Sequence, residues 1–152
     1  MIGRAAVCAG FLAFATCTTV AGAHVTVSPT TLQAGSSDAI VFRCPNERPN
    51  ASTVKLAVEL PPGAGIGAVK VRAPAGWRVR VDGRTITWEG GTIAPGHSEN
   101  FALFAGPIPA GAHDLAFKAV QTYSSGEVVR WIQLRQPGEP PPPHPAPIVT
   151  VR

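Results

Sequence analysis

Proline and glycine interrupt this chain so often that long helices are excluded from residue 24 onward. The 152 residues include 16 prolines and 16 glycines, and turn residues punctuate short runs of β-forming residues. A proline inside a helix removes a backbone hydrogen bond and clashes with the preceding turn. No window of this region shows sustained helical periodicity. The sequence therefore predicts an all-β protein built from short strands.

Alternation and turn signals locate the individual strands. Within residues 52–60, Val54, Leu56 and Val58 fall on one face and Lys55 on the other, which is the pattern of a half-buried strand. The other predicted strands cover residues 24–27, 38–43, 69–73, 77–81, 85–88, 100–105, 113–121 and 128–134. Asp82-Gly83 is a hairpin signal, and Gly90-Gly91 and Pro95-Gly96 are expected to bracket another short piece. Short strands at this spacing predict an antiparallel sandwich or barrel.

Residues 1–23 have the composition of a secretory signal peptide. Arg4 precedes a stretch without charge, and Ala21-Gly22-Ala23 provides the small residues that a cleavage site requires. We expect cleavage after Ala23 and a periplasmic or extracellular product. One alternative is an uncleaved anchor, because the uncharged stretch is close to the shortest length that spans a bilayer. Lipid attachment through Cys17 is a second, although the neighbouring residues fit that processing poorly.

Charge and cysteine content limit the classes of partner. The 13 lysines and arginines exceed the 9 acids only slightly and are spread singly, whereas nucleic-acid binding usually requires a basic cluster. No stretch after the signal is long and apolar enough to span a membrane. Cys8 and Cys17 lie in the signal, so Cys44 has no partner for an intrachain disulfide. We therefore expect neither a nucleic-acid partner nor a transmembrane helix in the mature chain.

The end of the chain combines a proline-rich segment with a short apolar run. The proline-rich segment, residues 136–147, is expected to be an extended connection resembling polyproline II. Residues 148–151 are predicted to return to the sheet as a last strand. The alternative is that this end frays, but exposed β-branched residues after a linker would promote aggregation.

Cleavage after Ala23 gives His24 an unusual chemical position. As the first residue of the mature chain, His24 offers a free α-amine and an imidazole nitrogen, which together close a six-membered chelate ring around a metal ion. Two neutral nitrogens in this arrangement suit Cu(II). In an arbitrary exported protein, however, a histidine more often just follows the cleavage site, so this signal is weak by itself.

Two more residues are candidates for the same site. Glu47, in the loop after the strand at residues 38–43, is either a carboxylate ligand or a solvated acid that pairs with Arg48 or Arg43. Trp131 is not an ordinary ligand, because the indole N–H only donates. It either forms a wall of the metal site or packs in the core.

The remaining histidines and Cys44 are interpreted as structural or surface residues. His97, His113 and His144 lie in a Pro-Gly turn, at a strand start and among prolines, and their spacing does not resemble a metal-binding set. Cys44 ends an apolar strand and is predicted to be buried rather than to act as a soft ligand. No motif for a catalytic nucleophile or a phosphate-binding loop is present.

Four separated blocks of the sequence resemble the YcnI-like family of exported copper-binding proteins. The blocks are HVTVSP, VFRCPNERPNASTVKLAVELPPG, FKAVQTYSSGEVVRW and PAPIVTV, in the family's order. The resemblance implies an immunoglobulin-like antiparallel β-sandwich over residues 24–152 that binds one Cu(II) through a single-histidine brace. By the same resemblance, His24 is the brace histidine, Glu47 the carboxylate and Trp131 the tryptophan beside the metal.

The sequence also departs from the family pattern. Cys44 replaces a usual aliphatic residue, and His97 stands where an acid is common. Many members continue into a membrane helix, whereas this sequence ends at Arg152, which leaves membrane association open. None of these departures affects the three residues of the implied site.

These observations predict a non-enzymatic Cu(II)-binding protein outside the cytoplasm that serves copper acquisition, delivery or tolerance. An envelope copper chaperone or transporter is the expected protein partner. One alternative is a metal-free immunoglobulin-like interaction module. The other is a copper-dependent oxidative enzyme, which would add a second histidine to the brace. No other histidine lies in a block that resembles such a ligand.

Overall fold

The computed structural model describes residues 23–62, 68–111 and 114–152, and these contain twelve β-strands and no helix. The strands are β1 (Thr26–Ser28), β2 (Thr31–Leu32), β3 (Asp38–Pro45), β4 (Thr53–Glu59), β5 (Ala68–Val71), β6 (Arg78–Asp82), β7 (Thr85–Ile93), β8 (Ser98–Gly106), β9 (Asp114–Ala116), β10 (Lys118–Tyr123), β11 (Val128–Trp131) and β12 (Ile148–Val151). The all-β prediction is confirmed. No helix that could cross a membrane occurs in these described ranges.

The strands form three sheets. The first has the order β1-β3-β8-β5, the second β11-β10-β4-β7-β6, and the third β2-β12-β9. The described strand pairs are antiparallel, apart from the parallel pair of β12 and β2. The two larger sheets contain most of the strands. In the small third sheet, the last strand of the chain, β12, lies between β2 and β9.

Side chains from the two larger sheets meet in one hydrophobic core. Along β3, Ile40, Phe42 and Cys44 are fully buried, because successive side chains of a strand point to opposite faces. Phe101 of β8 contacts Trp88 of β7, with ring centroids 5.3 Å apart. Since β8 and β7 belong to different sheets, this contact crosses the interior of a sandwich. The predicted antiparallel sandwich is therefore the observed architecture.

The prediction of one continuous strand over residues 113–121 is wrong. The structure contains β9 and β10, separated by the buried Phe117, whose backbone N–H donates to the carbonyl of Pro147. β9 pairs with β12, whereas β10 pairs with β4 and β11. The chain thus moves from one sheet to another inside a run whose β-forming character is unbroken. His113 lies outside the described residues.

The expected interruption of the strand at Gly90-Gly91 is also wrong. β7 continues through both glycines to Ile93, and its register against β4 shifts at this point. Gly90 has a positive φ of 88°, which glycine adopts without steric cost. Gly91 lies directly against the ring of Trp77, so a side chain at position 91 would clash with that ring. The glycines therefore form an irregularity within a strand rather than its end.

The residues predicted as a last strand form β12. Val149 and Val151 are buried, and β12 pairs with β9 on one side and with β2 on the other. Residues 1–22 lie outside the described part of the chain, so the signal peptide and its cleavage after Ala23 stay predictions.

Candidate metal centre

His24 lies two residues before β1 and is half-buried. β1 runs antiparallel to β3, with Thr26 opposite Arg43. Extended by two residues beyond the observed pairs, this register would bring His24 opposite Pro45, the last residue of β3. The observed pairing ends at Thr26, and the loop that carries Glu47 begins directly after β3.

A backbone carbonyl orients the His24 ring. The Nε2 atom of His24 lies 3.2 Å from the carbonyl oxygen of Pro143. A carbonyl oxygen only accepts, so Nε2 is the donor in this hydrogen bond, and in the neutral ring Nδ1 is then the nitrogen with the free lone pair. Nδ1 is the imidazole nitrogen near the backbone, which closes a chelate ring with the α-nitrogen of the same residue. Metal-binding histidines commonly donate their other ring N–H to a carbonyl in this way.

Trp131 packs against His24 and belongs to the core at the same time. Its side chain is only 4% exposed, and its ring meets the His24 ring edge-on, with centroids 5.4 Å apart at 82°. The indole Nε1–H donates to Oε1 of Gln121 at 3.1 Å. Both interpretations of Trp131 from the sequence therefore describe part of its position: it packs in the core and forms a wall beside His24.

Gln121 connects this wall to the end of β3, and the sequence analysis missed it. It is fully buried on β10, and its Nε2 donates to the carbonyl of Pro45 at 2.9 Å and to the hydroxyl of Thr53 at 2.7 Å. The sequence signal for Gln121 was its position, because this polar residue falls on the same face of the strand as Ala119 and Tyr123, which are buried. A buried amide requires hydrogen-bond partners, and Gln121 obtains them from three different segments.

Asn46 anchors the loop in which Glu47 lies, and it is a second residue that the sequence analysis missed. Asn46 is 1% exposed, and its Nδ2 donates to the carbonyls of Ala51 and Ile93 at 2.8 and 2.9 Å. Its Oδ1 accepts the backbone N–H of Arg48 at 2.8 Å. The loop backbone is held on both sides of Glu47, while the Glu47 side chain is exposed.

Arg48 pairs with Glu127 rather than with Glu47. The guanidinium donates to both carboxylate oxygens of Glu127, at 2.8 and 2.6 Å, and lies over the ring of Tyr123. The hydrogen bond from Arg48 lowers the pKa of the Glu127 carboxyl. Among the described residues, Glu47 forms no ion pair. The Arg48 pairing suggested for Glu47 is therefore absent, and this carboxylate faces solvent.

Cys44 is fully buried, as predicted. Burial raises the pKa of its thiol to about 12, so the thiol stays protonated at neutral pH. Since the thiolate is the form that binds metals, Cys44 is a poor ligand. His97 is exposed, and its Nδ1 donates to the carbonyl of Pro95 at 3.0 Å.

His144 is exposed, as predicted, but the sequence analysis did not place it beside the candidate site. Its ring lies 5.2 Å from the Trp131 ring between centroids. The residue before it, Pro143, provides the carbonyl that accepts from His24. The proline-rich segment therefore packs against the same tryptophan as His24.

Side chains alone do not assemble a metal site in the described ranges. Within residues 23–62, 68–111 and 114–152, no three histidine, cysteine, aspartate or glutamate side chains lie close enough together to hold a metal ion. A site at His24 therefore depends on its backbone nitrogen, which is an amide until the bond to Ala23 is cut. If that bond were cut, the amine and Nδ1 of His24 would be two nitrogen donors of the kind that suits Cu(II), with the indole of Trp131 beside them.

Known structures identify the class of fold. The chain is similar to an uncharacterized protein from Nocardia farcinica whose crystal structure has an immunoglobulin-like fold, with a TM-score of 0.76 and 32% identity over 86% of this chain and 99% of that one. A cohesin module of a family 33 glycoside hydrolase from Clostridium perfringens ATCC13124 shares the fold alone, with a TM-score of 0.54 and 10% identity over 84% of this chain and 95% of that one. The protein is an immunoglobulin-like β-sandwich.

Sequence comparison then identifies the family. The model of the domain of unknown function DUF1775 matches residues 24–86 and 82–151, so the chain belongs to the DUF1775 family, and the resemblance to YcnI-like proteins is confirmed. The chain is also 30% identical over 121 residues to the copper-binding protein CutI of Bacillus subtilis (strain 168). That match covers 75% of this chain but only 57% of CutI.

Proposed function

We propose that this protein, after cleavage at Ala23, binds one Cu(II) ion outside the cytoplasm and serves copper acquisition, delivery or tolerance. The hydrogen bond from His24 Nε2 to the Pro143 carbonyl carries the proposal, because it leaves Nδ1 available at the residue where cleavage creates an α-amine. The similarity to CutI supports copper as the metal. The ion is cargo, and the chain's own residues bind and shield it.

Each residue of the proposed site has a distinct role. His24 provides the amine and Nδ1, and the Pro143 carbonyl orients its ring. Glu47 provides a carboxylate from a loop whose backbone is held by Asn46. Trp131 excludes water from one side of the site. Its N–H is already bonded to Gln121. An envelope copper chaperone or transporter is the proposed exchange partner.

A copper-dependent oxidative enzyme is the second candidate. The observation in its favour is the position of a second histidine, His144, against Trp131. Turnover of a polysaccharide or of peroxide with added reductant, dependent on Cu(II), would support that activity. We place binding first because CutI is named as a binding protein. A metal-free interaction module is the third candidate function. It predicts that titration with Cu(II) shows no binding.

The proposal is tested by moving the chain start by one residue. Protein beginning at His24 is compared with protein beginning at a retained methionine before His24, which converts the α-amine to an amide but keeps the imidazole and Glu47. We expect one Cu(II) per chain in the first protein and much weaker binding in the second, measured by titration followed with electron paramagnetic resonance. Equal binding by the two proteins would show that the amine of His24 is not a ligand.

A further inference from the structure

The outer face of the first sheet contains an apolar groove. Residues of three adjacent strands, β3, β8 and β5, line it, and its volume is about 550 Å³. Side chains at directly opposite positions of antiparallel strands lie on the same face of a sheet. Ala39 of β3 and Lys70 of β5 both lie opposite Phe104 of β8, which is 45% exposed although it is a large apolar side chain. The groove is therefore an exposed apolar site on a face away from the core.

Cations without acidic partners border this groove. Lys70 and Arg72 line it from β5, and Arg43 is exposed on the same face of β3. The acids of β3 and β8, Asp38 and Glu99, occupy positions that alternate with the outward ones. Within the part of the chain that the structure describes, none of the three cations forms an ion pair. The groove therefore combines an apolar surface with positive charge that is not neutralised.

The outer face of the second sheet has a different charge pattern. There, acids stand among the cations of the strands and of the turn between β6 and β7. Three ion pairs result, namely Lys55–Glu89, Arg80–Asp82 and Arg84–Glu59. The unpaired positive charge at the groove is thus a property of one face of the sandwich rather than of both.

The core holds the backbone of the groove in place at Arg72. The backbone N–H of Arg72 donates to the carbonyl of Ala102 at 3.1 Å. The carbonyl of Arg72 accepts the indole N–H of the fully buried Trp88 at 2.7 Å. Because both backbone groups are already bonded, binding at the groove has to order side chains but not this part of the backbone, which lowers the entropic cost.

We propose that this groove binds an extended acidic segment of another protein, with an apolar side chain against Phe104 and carboxylates on Lys70 and Arg72. Charge complementarity selects this occupant. A symmetric pair of two copies of this chain would instead bring the same cations together, and like charges repel. A concave groove also accommodates a protruding side chain better than the flat surface of a membrane. The proposal does not depend on copper, because β1, which follows His24, lies at the opposite edge of the sheet from β5.

The test uses isotope-labelled protein beginning at His24 and two synthetic peptides, with binding followed by nuclear magnetic resonance. The acidic peptide has a central phenylalanine flanked on both sides by aspartates and glutamates. In the neutral peptide, asparagines and glutamines replace these acids. We expect the acidic peptide to cause saturable shifts of backbone amides in β5 and β8, and added salt to weaken its binding. The neutral peptide is expected to bind about tenfold more weakly or less.

Two variants change the groove, and one matched control changes the other face. Lys70→Glu combined with Arg72→Glu reverses the charge of the groove, and Phe104→Ala removes its exposed ring. Lys118→Glu combined with Arg130→Glu is the control, because it changes the net charge equally on the outer face of the second sheet. We expect each groove variant to lose affinity for the acidic peptide by about tenfold or more, and the control to lose much less. Thermal unfolding shows that each variant keeps the native fold, and Cu(II) affinity is expected to be the same in all of them.

Three results would overturn the proposal. The first is absence of binding by the parent protein at about 1 mM acidic peptide, or shifts that lie outside the groove. The second is an equal loss of affinity in the groove variants and in the control. The third is binding to phosphatidylserine vesicles through Lys70, Arg72 and Phe104 without binding of the acidic peptide, which would assign the groove to a membrane surface.

Discussion

At the scale of single residues, the fold fixes some side chains of the proposed site and leaves Glu47 exposed. Trp131 and Gln121 are buried and bonded to each other, and the ring of His24 is oriented by a carbonyl. Glu47 is exposed, and only the backbone on either side of it is anchored. To act as the proposed ligand, its side chain would have to reach the metal by rotamer choice rather than by packing. Glu47 is for this reason the residue of the site whose role most needs a direct test.

Glu47→Gln tests the carboxylate at constant size. A ligand oxygen lost from the metal weakens affinity at least as much as an outer-shell change, by about 10–100-fold. Because the side chain is exposed, we expect the free energy of unfolding without copper to change by less than about 0.5 kcal/mol. The affinity is measured by competition titration and the stability by urea denaturation.

Glu59→Gln is the matched control, because Glu59 pairs with Arg84 at 3.1 Å on β4. It is expected to leave Cu(II) affinity unchanged. If Glu47→Gln binds copper as tightly as the parent protein does, Glu47 is a solvated loop acid.

At the scale of elements, the loop after β3 depends on one buried side chain. Asn46 bonds the loop to Ala51, to the end of β7 at Ile93 and to its own backbone at Arg48. The pair of Arg48 and Glu127 then connects the loop to the turn between β10 and β11. This pair is exposed, and surface ion pairs contribute little to stability. The buried amide is the stronger anchor.

Asn46→Ala is expected to destabilise the protein by about 2–4 kcal/mol, because it leaves two carbonyls and one N–H without their partner. We expect weaker Cu(II) binding as well, since the loop then no longer positions Glu47. Asn50→Ala, in the same loop but exposed, is the control and is expected to change neither quantity appreciably. Urea denaturation and copper titration measure the two effects. Equal stability of the two variants would show that Asn46 does not anchor the loop.

At the scale of the whole molecule, the candidate site joins segments that are far apart in the chain. His24 comes from the start of the domain, Trp131 from β11 and Pro143 from the proline-rich segment. β12 follows that segment and is held between β9 and β2. The last part of the segment is held by Gln133, which bonds to His144 and Ala146, and by β12, which follows directly. The fold as a whole covers one side of His24.

Tryptophan fluorescence reports on this arrangement. Cu(II) at His24 is expected to quench Trp131 strongly, because the two rings are in contact. Trp77 and Trp88 pack on Phe101 in the core and are expected to respond less. In Trp131→Phe, most of the quenching disappears while much of the binding remains, because the indole is not a ligand. Quenching that persists in this variant would place the metal away from His24.

Features that depend on neighbours in the chain were predictable from the sequence. Alternation and turn residues indicated the sandwich, the buried Cys44 and the final strand, because strand pleating and turn geometry are local properties. His24, Glu47 and Trp131 were chosen from local chemistry and family resemblance, and the structure brings Trp131 against His24 while it leaves Glu47 exposed.

Only the tertiary structure decided which distant segments meet. The split between β9 and β10, the irregularity at Gly90-Gly91 and the position of His144 all follow from pairing between strands that are remote in sequence. Alternation in one strand carries no information about its partner, and a proline-rich segment has no periodicity that specifies where it packs. Spacing therefore could not show that His24 and His144 both contact Trp131, because these contacts arise from the path of the chain through the sheets.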